Sequence, residues 1–158
     1  MKNLRTAALC AVMALSAMGS FAQEKTNAVP INEPDYNKPK LFAGLPDKVQ
    51  VSTETLSSLF NTTLGRSASI AISEESHFQF NGEVVSSGTK NPQVQSVVIR
   101  STNFNGATFS VSKATNADGT VSYRGRIISF KHGDFYNLEN QNGQYILVKK
   151  NFYDLVNE

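Results

Sequence analysis

From Gly65 to Lys150 the chain alternates between apolar and polar positions. The segments SASIAIS (67–73), HFQFNGEVVSS (77–87), VQSVVIRS (94–101), GATFSVSK (106–113), TVSYRGRIISF (120–130), DFYNLEN (134–140) and QYILVKK (144–150) are short and rich in β-branched and aromatic residues. A period of two predicts strands, each with one apolar face. The pairs Asn81-Gly82, Asn105-Gly106, Asp118-Gly119 and Asn142-Gly143 punctuate them. Such pairs supply positive φ at little steric cost, which is what tight turns need. Asn81-Gly82 lies inside a strand-like run and fits a bulge as well as a turn.

Loop length sets which residues face each other. Three-residue loops at Phe104–Gly106, Ala117–Gly119 and Gln141–Gly143, with a four-residue loop at Lys131–Asp134, pair Ile99 with Val111, Phe109 with Ile127, Ile127 with Leu138 and Leu138 with Ile146. One face then collects Val97, Ile99, Phe109, Val111, Tyr123, Ile127, Tyr136, Leu138, Ile146 and Val148. A one-residue slip in any hairpin sends half of them to the other side. The expectation is an antiparallel meander from about Val94 to Lys150. The earlier strands extend this sheet and curl it toward a small barrel.

One stretch has the helical period instead. In VSTETLSSLFNTTLG, Leu56, Leu59, Phe60 and Leu64 form a stripe, Ser52 can cap the first turn and Glu54 suits its positive end. Val51 and Leu56 stand where a hydrophobic staple would, and Gly65 can end the helix. The fold class is therefore α+β and mostly β: an antiparallel meander preceded by one short amphipathic helix. At the far end, NFYDLVNE (151–158) reads as one helical turn capped by Asn151.

The first residues have another texture. Lys2 and Arg5 precede an apolar run from about Ala7 to Met18, and Ser20-Phe21-Ala22 gives a small-x-small cleavage site. This is an export signal, residues 1–22, cut after Ala22; the run is too short for a membrane span. It places the protein in the periplasm or outside the cell. Residues 23–48, with four prolines, read as an extended leader packed at most through Leu41 and Phe42, and residues 49–158 as a single β-rich domain. Leu9 before Cys10 argues against lipidation, so Cys10 leaves with the signal and the mature chain has no cysteine. Of 15 basic and 13 acidic residues, Lys2 and Arg5 leave too, and the balance is then neutral. Nothing here builds the single-sign field of a nucleic-acid binder.

Candidate chemistry is sparse. His132 and Asp134 in KHGD are the tip of a hairpin, and a metal-dependent hydrolase would need His77 to join them. No G-x-S-x-G, H-E-x-x-H, Walker loop or G-x-G-x-x-G occurs, and the residues name no cofactor, metal or catalytic group. Arg124 and Arg126 fall on the second face of the sheet, where Arg126 would meet Glu139 in a cross-strand ion pair; an anion site is the alternative. The same face should carry Ile128, Phe130, Phe135, Tyr145 and Leu147. Either the helix covers them with Leu56, Leu59 and Phe60, or they bind a protein partner or a second copy of the chain. The leading expectation is a noncatalytic binding module that uses this aromatic surface. The alternative is a hydrophobic-ligand carrier with a pocket lined by Tyr123, Tyr136 and Phe109.

Overall fold

Every alternating segment becomes a strand in the computed structural model, which describes residues 37–71 and 78–152. The strands are β1 (Lys48–Val51), β2 (Ser67–Ala71), β3 (Gln79–Asn91), β4 (Val94–Ser101), β5 (Thr108–Thr115), β6 (Val121–Ile128), β7 (Asp134–Gln141) and β8 (Gln144–Asn151). One short helix, α1 (Thr53–Leu59), lies between β1 and β2. All the strands join one antiparallel sheet, ordered β1-β8-β7-β6-β5-β4-β3-β2, which curls into a half-barrel. β2 to β8 are an up-and-down meander. β1 turns back to pair with the last strand, Val49 opposite Leu147.

The shared apolar face is present. Ile99, Phe109, Ile127, Tyr136 and Leu138 are all buried on the inner side of the curl. Phe109 pairs with Ile127, as the loop lengths imply. Two hairpins differ by two residues: Val111 meets Val97, and Leu138 meets Gly125. An even shift leaves every side chain on its own face.

The last hairpin differs by an odd number. Its turn has two residues, Asn142 at φ 53° and Gly143 at φ 86°, so Gln141 pairs with Gln144 and Leu138 with Leu147. Positive φ at both positions matches the twist of the flanking strands better than a three-residue loop does. The consequence reverses β8. Tyr145 and Leu147 turn inward and are buried, while Ile146 and Val148 go to the outer face.

Asn81-Gly82 is neither turn nor bulge. β3 runs straight through it, with Gly82 between Ala68 and Ser101, and the irregularities come later, at Val84/Ser86 and Thr89/Asn91. Gly82 is needed for closeness: a Cβ there would collide with the Arg100 carbonyl oxygen and stand 2.6 Å from Ile99 Cγ2. Gly125 has the same role in β6, where a Cβ would sit 2.6 Å from the Ser110 carbonyl oxygen. Glycines inside strands let neighbouring backbones close up where a sheet coils.

Helix α1 begins as its sequence implies. Ser52 is the N-cap, and its Oγ accepts from Thr55 N at 3.1 Å. The helix stops at Leu59, however, with Leu64 exposed and Gly65 (φ 77°) in the turn before β2. Asn61-Thr62-Thr63 are poor helix formers and the chain must reach the far edge of the sheet. α1 lies on the inner face, not the outer one: Leu56 and Leu59 join the main core, and Phe60 stacks near Tyr123.

Residues 37–47 pack along the end of the curl, through more than Leu41 and Phe42. Phe42 is fully buried against Phe104 and Tyr136. The Asp134 carboxylate accepts from Leu41 N at 2.7 Å and Phe42 N at 2.8 Å. Gly133 N donates to Pro39 O, and Lys149 Nζ reaches Leu45 O and Asp47. At the other end, Asn151 closes β8 and Phe152 begins a 3-10 turn; the rest of the expected helical turn, residues 153–158, lies outside the described residues, as do the proposed signal and His77.

Candidate functional site

KHGD is a turn. His132 N bonds back to Ser129 O, and the imidazole Nδ1 lies 2.8 Å from Ser129 Oγ. Ser129 is fully buried, so no substrate can reach its hydroxyl. Asp134 faces away, holding Leu41 and Phe42. The serine–histidine contact, three residues apart, is a feature the sequence reading missed, and its geometry is that of a turn brace. Among the described residues no group of three His, Cys, Asp or Glu could hold a metal ion.

The five residues expected to form an aromatic surface are not brought together. Ile128 and Phe135 face each other across β6 and β7 on the outer face, and both are buried. Phe130 sits past the end of β6, 73% exposed, edge-on to Phe152 at 6.5 Å. Lys38 Nζ donates to Phe130 O and lies 5.5 Å from the Phe152 ring. Tyr145 and Leu147 are on the inner side, a correction that follows from the two-residue turn. The rings suggested for a carrier pocket are packed too: Tyr123 against Phe60 and Tyr145, Tyr136 against Phe42 and Phe78, Phe109 against Phe80.

A different site emerges on the outer face of β4 to β7. β6 pairs with β7 only from Gly125 to Ile128. Beyond Gly125 the strands part, and Tyr145 from β8 fills the fork, its hydroxyl accepting from Tyr123 N at 3.0 Å. Around this fork lies an open groove of about 670 Å³. Its outer-face lining is Ser96 and Val98 from β4, Ser110 and Ser112 from β5, Ser122, Arg124 and Arg126 from β6, and Asn137 from β7.

The register explains the arrangement. Ser96, Ser112 and Arg124 form one row across three strands; Val98, Ser110, Arg126 and Asn137 form the next. Two residues along a strand separate the rows by about 6.7 Å, and each step across is about 4.8 Å. Small serines leave the floor low, so the arginines rise at one side of a trough.

Its electrostatics are one-sided. Among the described residues no Asp or Glu lines the groove. Arg126 stands opposite Asn137, and the expected partner Glu139 is bound instead to Lys150 at 2.8 Å. Glu139 is held below the ordinary glutamate value, first by its hydrogen bond from Lys150, with Gln141 and Asn137 adding to it. Neither Arg124 nor Arg126 has an ion pair or a side-chain hydrogen bond among the described residues. Unpaired guanidiniums beside hydroxyl donors are suited to a carboxylate or phosphate. From sequence, the two arginines and their face were legible; the serine rows were not, because they need the registers of three strands at once.

The chain matches no family model, no curated protein and no solved structure. Among the described residues no helix is long and apolar enough to cross a membrane.

Proposed function

We propose that the protein is an exported, noncatalytic binding module that holds an anionic small molecule in the groove at the β6–β7 fork. The observation carrying this reading is the pair of unneutralised arginines, Arg124 and Arg126, above a floor of serines with no acid in the lining. The volume falls in the range of small-molecule sites. A catalytic reading has less support, since among the described residues the lining sets no base beside its serines. Binding in place of the aromatic surface follows from the packing of Tyr145 and Leu147 into the core.

Calorimetric titration of the purified protein with a panel of carboxylate and phosphate compounds tests the reading. Binding should be weakened at least tenfold by Arg124→Ala with Arg126→Ala, and weakened progressively by salt. A panel that leaves the calorimeter silent, or a double variant that binds as well as the parent, removes the groove as the site. Export is tested separately: mass spectrometry of protein from the periplasm or medium should find Gln23 as the first residue.

A further inference from the structure

The groove carries more than charge. Its four serines make no side-chain hydrogen bond among the described residues, so their hydroxyls are free both to donate and to accept. The Tyr145 hydroxyl, buried in the fork beneath the groove, accepts from Tyr123 N. Asn140 at the same rim uses its carbonyl oxygen on Gly143 N and keeps its amide donors. The polar groups therefore extend well beyond what two guanidiniums need to hold one anion. A bare inorganic anion would use only donors and leave most of the trough to water.

Another class lacks one of its usual anchors here. Nucleobases are commonly held by stacking on exposed rings. The two rings in the lining, Tyr123 and Tyr145, are each 5% exposed and locked edge-on to one another at 5.4 Å and 83°. They offer no free face. A ligand that suits the groove has an oxyanion at the arginine side and a nonaromatic body bearing many hydroxyls, each able to exchange donor and acceptor roles with a serine.

Resting on the anion-site reading above, we propose that the ligand is an acidic sugar of one or two rings, carrying a carboxylate or a phosphate. The oxyanion lies between Arg124 and Arg126. The ring hydroxyls lie along Ser96, Ser110 and Ser112.

Titrations with glucuronate, digalacturonate, glucose 6-phosphate, maltose, adenosine monophosphate and inorganic phosphate decide it. At least one acidic sugar should bind ten times more tightly than maltose, adenosine monophosphate or inorganic phosphate; the uronates and the sugar phosphate separate the two acid sources. Ser110→Val with Ser112→Val, a change that strands tolerate, should abolish that preference while leaving residual phosphate binding. Should phosphate or adenosine monophosphate equal the acidic sugars, the sugar assignment fails and the anion site stands. If maltose matches digalacturonate, or nothing in the set binds, both readings fall.

Discussion

Asp134 does more for this fold than its place in a short turn implies. Its two carboxylate oxygens receive the backbone N–H groups of Leu41 and Phe42, one each, at a site that is almost wholly shielded from water. Hydrogen bonds to an ionised acceptor are the stronger kind, and removing the acceptor leaves buried donors unmet. Asp134→Ala should lower stability by about 3 kcal/mol, read as a lower urea midpoint with an unchanged slope. Tyr136 nearby is held above the usual tyrosine range, mainly by burial and then by the charges of Asp134 and Asp47, which favours the protonated hydroxyl that donates to Pro46 O. Acid acts elsewhere. Glu139, bound by Lys150, and Asp47, bound by Lys149, both hold their protons less tightly than they would in an unfolded chain. The unfolded state therefore takes up protons first as pH falls. The contribution of Glu139 is complete above its ordinary value of 4.5 and is lost as pH drops through the depressed native value. Glu139→Gln should flatten the fall in melting temperature below about pH 4.5, and calorimetry across pH 2.5–6 checks it.

At the level of single elements, the strand glycines set the curl. Gly82→Ala must push a methyl group into the β4 backbone, and should cost about 2–3 kcal/mol. Gly88→Ala in the same strand meets only Ser96 Oγ at 3.9 Å and should cost almost nothing, so paired denaturation curves separate crowding from general strand effects. The strands themselves were legible from alternation, because burial on one side writes a period of two directly into the sequence. Their faces were legible as long as errors in loop length were even. The β7–β8 turn was not, since Asn142-Gly143 serves a two-residue turn as readily as a longer one, and only φ at Asn142 distinguishes them. β1 was missed for a related reason: KVQV is too short to show a period, and it abuts the cap of α1. The groove was half visible. Arg124 and Arg126 could be assigned to one face, yet their lack of a partner depended on a shift of Glu139 by two positions, which no local pattern encodes.

At the scale of the described sheet, each strand pairs with its neighbour in sequence except at one seam. β2 to β8 pair through short hairpins, while β1 meets β8 across about a hundred residues, Val49 to Leu147. Contacts closed by short loops form early, and those needing long closures form late. Val49→Ala and Val111→Ala, both at buried positions, should each cost about 2 kcal/mol. The first should act mainly by speeding unfolding and the second mainly by slowing folding, a division that stopped-flow measurements over a range of urea will reveal.

That seam also orders events at the ribosome. Phe42, Leu56 and Leu59 are made early, but the hollow that receives them is walled by strands made afterwards, and the strand that β1 grips is the last of the eight. Until it has been synthesised, those side chains have no berth. The nascent polypeptide thus carries these apolar side chains without their native contacts until β8 has been made.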